Sequence, residues 1–167
     1  MTPKSWQSRR EAPIFATMTI LNTIGYEQAT QSAMLDELDR ADVRLVVDTR
    51  AVTSSRRPGF SKRQLAAALD ERGIAYVHLR GLGTPKEGRL AARAGKTDVL
   101  ARIYARHLDT AQAREELDEL AALVRAGRKL CLLCYERDPT HCHRSFIAER
   151  IRKRLDVTVE HLFCTPV

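Results

Sequence analysis

The chain has 167 residues, 44% hydrophobic and 29% charged, with a formal charge of +7, which suits one globular domain with a core of its own and no disulfide staples. No apolar run approaches the length of a membrane span, and the opening MTPKSWQSRREAP has no apolar segment behind its charges, so neither insertion nor export is expected. Four cysteines in such a chain read as thiols of a reducing compartment, which makes the cytoplasm the expected location.

In chain order, residues 1–15 are polar and Pro-punctuated and predict a flexible N-terminal tail, the lone Trp6 included; 16–167 predict a single α/β domain. TMTILNTIG (17–25) has the β-branched content of a strand and stops at a glycine. Apolar residues at helical spacing (Ala29, Ala33, Met34, Leu38) predict a helix over 27–40, and VRLVVDT (43–49) reads as a strand buried on both faces. Ser61 and Gln64 have the spacing of a capping box, with Phe60 and Leu65 at the positions of a hydrophobic staple. The helix they open, 62–72, ends at Gly73, and AYVHL (75–79) is the third strand.

The segment 80–96 mixes Gly, Pro and charge without periodicity and predicts a long loop. Two amphipathic helices, 97–107 and 110–126, precede a fourth buried strand at 129–135. Asp138-Pro139 predicts an N-cap and first helical residue for a helix running to 155, and VTVEHLF (157–163) is the fifth strand. Strands joined by helices argue for a doubly wound, mostly parallel five-stranded sheet in a three-layer domain.

In such sheets ligands bind beyond the carboxyl ends of the strands. The polar residues gather there: Gly25 and Tyr26 after strand one, Asp48 and Arg50 after strand two, Cys134, Glu136 and Arg137 after strand four. LLCYERDPTHCHRS carries the most chemistry. Cys142 falls where a helix begins, so backbone N–H groups together with Arg137 and Arg144 are expected to lower its pKa; His143 and Glu136 supply an acid and a base. Cys131, inside the strand, reads as core, while Cys134 at its mouth suits either role. Asp48 stands where doubly wound folds put catalytic or ribose-binding acids, and Arg50, Arg56 and Arg57 offer phosphate grips, unless Asp48 simply pairs with Arg50 or Arg137. All five arginines are expected to face one crevice.

Cys131-x-x-Cys134 with His141, Cys142 and His143 has the residue types of a zinc site. Residues three apart on a strand point to opposite faces, however, and adjacent His-Cys-His cannot all turn to one ion, so no metal and no cofactor is expected. The net charge invites an anionic partner, either a nucleotide or another phosphorylated small molecule, with nucleic acid as an alternative. Arg outnumbers Lys and alanine is abundant, a bias that GC-rich coding produces by itself, and no basic run interleaves with aromatics as in single-strand binders.

TIGYE, LVVDTRAVTSSRRPGFSK, IAYVHLRGLG and LLCYERDPTHCHRSFIAE resemble, in order, the motifs of the domain of unknown function 488 (DUF488) family, over about residues 19–162. The resemblance implies a compact Rossmann-like domain with signature positions at Gly25, Asp48, Arg50, Arg56, Phe60, Cys134, Glu136, Cys142, His143 and Arg144. Tyr26 departs from it, since the first motif often has histidine there. The family name carries no reaction. The expectation is a small enzyme binding a nucleotide or phosphorylated small molecule, with Cys142 or Cys134 as nucleophile and His143, Glu136 and Asp48 as further catalytic residues. The alternatives are a nucleic-acid-binding or regulatory module without catalysis and a rhodanese-like sulfurtransferase, although the cysteine loop of the latter is not reproduced.

Overall fold

Short, continuously apolar segments between amphipathic ones can satisfy both their backbones and their side chains only inside a layered sheet. The computed structural model describes residues 18–167; the expected tail and Trp6 lie outside the described residues. In chain order the elements are β1 (Thr19–Gly25), α1 (Gln31–Arg40), β2 (Leu45–Asp48), α2 (Lys62–Glu71), β3 (Ala75–His78), α3 (Lys86–Arg93), α4 (Thr97–Leu108), α5 (Ala111–Arg125), β4 (Leu130–Cys134), α6 (His143–Arg152) and β5 (Val157–Phe163).

The five strands form one sheet in the order β3-β2-β4-β1-β5, and every pairing is parallel rather than most of them. Helical crossovers make this possible, because a tight hairpin can join only antiparallel neighbours. Alternation along the strands sorts the core. Leu45, Val47, Leu130 and Leu132 pack in one layer with α4, α5 and α6 residues such as Tyr104, Leu117 and Ile147. Val46, Cys131 and Leu133 pack in the other with Met34 and Leu38 of α1 and Leu65 and Leu69 of α2. The order places the carboxyl ends of β2, β4 and β1 side by side, with Asp48 in register with Leu133 and Gly25 with Cys134.

Three local expectations are corrected. The segment 80–96 is not a loop: a 3-10 turn at Arg80–Leu82 leads into α3. Gly88 makes this helix possible by close approach, since a Cβ there would stand 2.6 Å from the Thr84 methyl and 3.4 Å from Leu100; packing, not propensity, holds it. Ser61 is the N-cap of α2, yet its Oγ accepts from Ser55 N–H (3.1 Å) and makes no capping bond to the helix. Phe60 and Leu65 are nonetheless both buried in the same core cluster. Asp138 caps only a 3-10 turn, Pro139–His141, accepting from Thr140 N–H at 2.8 Å; α6 then starts afresh with Cys142 as its N-cap.

Candidate functional site

Strand period decides which cysteines meet. Cys131 faces the α1/α2 layer, so Cys134, three residues on, faces the α4–α6 layer, where α6 begins. The 3-10 turn folds the chain back and sets Cys142 and His143 over the end of β4. One ligand atom each from Cys134, Glu136, Cys142 and His143 then lie within 4.8 Å of one another. Cys134 Sγ is 2.7 Å from Glu136 Oε2 and 3.3 Å from His143 Nδ1, and Cys142 Sγ is 3.9 Å from the same nitrogen.

The other face of the imidazole is fixed. His143 Nε2 lies 2.9 Å from the Thr49 carbonyl, which can only accept, so Nε2 carries a proton and Nδ1 faces the two sulfurs. Thr49 is itself anchored: its N–H (3.1 Å) and Oγ1 (2.9 Å) both donate to the Leu133 carbonyl. Tyr104 packs edge-on against the ring at 5.5 Å.

Burial raises the Cys134 thiol and pushes Cys142, 1% exposed and beside Cys134, well above its ordinary value. The expectation of an acidic Cys142 is thereby reversed. Its sulfur does sit at a helix start and accepts from Arg144 N–H (3.5 Å), but loss of water outweighs the helix dipole. Burial alone would lower His143 and raise Glu136. The neighbouring groups win in both cases, Cys142 and Glu136 raising the imidazole and the Cys134 thiol lowering the carboxylate.

Arg144 is wholly buried and aims its guanidinium at backbone. Nε donates to Thr23 Oγ1 (3.1 Å), Nη2 to the Arg137 carbonyl (3.0 Å) and Nη1 to the Glu136 carbonyl. It clamps the segment that presents the Glu136 carboxylate. Gly25 completes the clamp, because a Cβ there would meet the Glu136 carbonyl oxygen at 1.8 Å. Arg137 donates to the Cys164 carbonyl (2.6 Å) and lies over Phe163, and its N–H is held by Glu27 (3.0 Å).

One strand away, Asp48 and Arg50 form a second buried cluster. Arg50 grips the carboxylate through Nε (2.9 Å) and Nη2 (2.7 Å), and Tyr76 donates to it at 2.6 Å. The remaining Arg50 terminal nitrogen donates to Tyr26 Oη (2.9 Å) and the Phe60 carbonyl (2.8 Å), with Tyr26 stacked on Phe60. Arg57 donates to the Ala29 carbonyl (2.6 Å) and Arg56 is exposed. The five arginines therefore do not share a crevice: Arg50 and Arg144 are interior structure, and Arg137 and Arg57 hold loops.

The residues weighed for zinc in the sequence separate in space. Cys131 lies across the sheet and His141 is exposed beside Asp138. The set that converges replaces them with Glu136, two residues past the strand, and two thiolates, an imidazole and a carboxylate are zinc donors. Sequence reasoning flagged Glu136 as an acid or base in the same stretch as Cys134, Cys142 and His143. It missed Thr49, whose contribution is a backbone carbonyl that no residue type announces, and Tyr76.

A family model described as Domain of unknown function DUF488 matches residues 30–151, from the N-cap of α1 into α6, and so includes all four clustered residues. No curated protein and no solved structure matches the chain.

Proposed function

We propose, from the premise that the chain belongs to the DUF488 family, a domain whose function is unknown, that it is a small hydrolytic enzyme built around a divalent metal of the zinc class. Cys134, Cys142 and His143 are the buried ligands, and Glu136 is the acid/base. The single observation behind this is the convergence of four ligand atoms within 4.8 Å around an imidazole whose far N–H is already tied to a carbonyl, the outer-shell bond that orients metal-bound histidines.

Charge supports the same conclusion. Among the described residues no Lys or Arg side chain donates to any of the four ligand atoms, and the buried Arg144 guanidinium is spent on carbonyls and a hydroxyl. Two thiols and a carboxylate buried together need a cation or protons. The high thiol pKa values speak against a free thiolate nucleophile or sulfur carrier, whereas a soft divalent ion deprotonates such ligands on binding.

A zinc-class ion with three protein ligands supplies Lewis acidity and an acidified water. Glu136 is the half-buried member of the set, open on one side, and its carboxylate is held ionised, so it can take a proton from an attacking water and return it to a leaving group. Arg144 and Gly25 position Glu136 through its backbone. Asp48, fully engaged by Arg50 and Tyr76, has no part in the chemistry.

Chelator-treated protein titrated with Co²⁺ is the test. One equivalent should bind and give the near-ultraviolet band of thiolate ligation, lost in Cys134→Ser and Cys142→Ser and kept in Cys131→Ser. Glu136→Gln should retain the metal and lose hydrolysis of activated ester or phosphoester probes. Binding that is substoichiometric and equal in wild type and Cys134→Ser would falsify the metal centre; Glu136→Gln with full turnover would remove the carboxylate from the chemistry.

A further inference from the structure

A cleft of about 500 Å³ opens beyond the carboxyl ends of β2 and β3, lined by Ala51, Val52, Thr53, Ser54, Lys62, His78 and Arg80. We infer that it is a binding site for the phosphate group of a phosphorylated small molecule, held by Lys62, Arg80 and the hydroxyls of Thr53 and Ser54.

Its walls offer two cations, one imidazole and two hydroxyls, and no carboxylate. No ion pair among the described residues includes Lys62 or Arg80. In this they differ from Arg50, Arg72, Arg150 and Arg154, each matched to an aspartate. His78 is oriented rather than loose. Its Nε2 donates to the Arg50 carbonyl at 2.8 Å, which leaves Nδ1 as the acceptor facing Lys62 Nζ at 3.5 Å. The ammonium is thus steadied at the rim with donors to spare. Lys62 is also the first residue of α2, and its own N–H donates to the Thr53 carbonyl at 3.1 Å, which ties the Thr53 side of the cleft to the start of that helix.

The cleft and the Cys/Glu/His centre share a wall. Thr49 gives its carbonyl to His143, Arg50 gives its carbonyl to His78, and Ala51 lines the cleft. Two residues of extended chain span only about 7 Å, so the cleft lies next to the centre along the same edge of the sheet. Joined to the metal-centre proposal, on which this step rests, the cleft makes the substrate class a phosphorylated small molecule. Phosphate binding itself needs only the cleft.

Calorimetric titration with inorganic phosphate and with phenyl phosphate, at constant ionic strength, tests this on wild type, Lys62→Gln/Arg80→Gln and Cys134→Ser. Both substituted cations are exposed, and circular dichroism checks that the fold is kept. Saturable binding in wild type and in Cys134→Ser, weakened at least tenfold in the double variant, is the expected result, and it stands whether or not the centre holds a metal. No saturable binding, or equal affinity in the double variant, overturns the inference. So does salt-dependent binding of long duplex DNA that needs Lys62 and Arg80 but is not competed by phosphate, which would make the face a nucleic-acid surface.

Discussion

Asp48 with Arg50, and Cys134 with Glu136, Cys142 and His143, are buried polar groups at the ends of neighbouring strands of one sheet, yet they are completed differently. In the first, a carboxylate meets a bidentate guanidinium, and a phenol and a backbone N–H take its remaining lone pairs. Burial alone would depress the Arg50 pKa, but the Asp48 partnership raises it, and the pair is charge-balanced within itself. In the second, the Cys134 thiol donates to the Glu136 carboxylate and lies 3.3 Å from His143 Nδ1, so the cluster is held by exchangeable protons, with no Lys or Arg among its members. A buried cluster of fixed opposite charges holds a fold together; one held by exchangeable protons is, on the function proposed above, where a ligand exchanges for them.

The contrast can be broken most sharply from the balanced side. Asp48→Asn leaves the Arg50 guanidinium, 5% exposed, without its counter-charge. Removing one partner of a buried pair costs about 3–5 kcal/mol. Urea unfolding should show that loss as a lower midpoint at unchanged slope. A loss under about 1 kcal/mol would mean that the cluster is not the lock described.

On the other side, stability should come from outside the chain. Zinc at a hundredfold excess over its dissociation constant should stabilise wild type by about 2.7 kcal/mol. Cys142→Ser should show little of that gain. Equal stabilisation of both proteins would return the cluster to the ranks of ordinary core.

Gly25→Ala tests the clamp that holds the Glu136 segment. The added Cβ must displace the Glu136 carbonyl, now 1.8 Å from its position, and overpacking of that kind costs about 1–3 kcal/mol. Because the displaced peptide carries the Glu136 side chain, hydrolysis should fall more than Co²⁺ affinity does. A variant with normal turnover would show that Glu136 tolerates the shift.

The smallest effect is expected at the cysteines outside the cluster. Cys131→Val should cost less than about 1.5 kcal/mol and leave Co²⁺ binding unchanged, since its thiol packs among apolar side chains. Burial pushes the Cys164 thiol up to about 11, so the group stays neutral well above pH 8. Its alkylation in the folded protein should be negligible at pH 8 and rise only toward pH 11. Fast labelling at pH 8 would contradict that burial.

The sequence by itself determined the strands and most of the helices, because continuous apolar runs and 3.6-residue periodicity are local signals of burial. The period of two along β4 was enough to separate Cys131 from Cys134, and the reactive residue types marked the stretch from Cys134 to Arg144. Helix α3 was not legible, since it depends on Gly88 admitting Thr84 and Leu100. The fate of the arginines was not legible either. Five guanidiniums near one edge look like an anion crevice until the fold gives Arg50 to Asp48 and Arg144 to the carbonyls of residues 136 and 137. Tertiary structure alone could make those assignments, and it alone could choose the Thr49 carbonyl to orient His143. A side chain's type fixes what it can bond, but its partner is fixed by which backbone groups arrive within hydrogen-bond reach of it once the strands have paired.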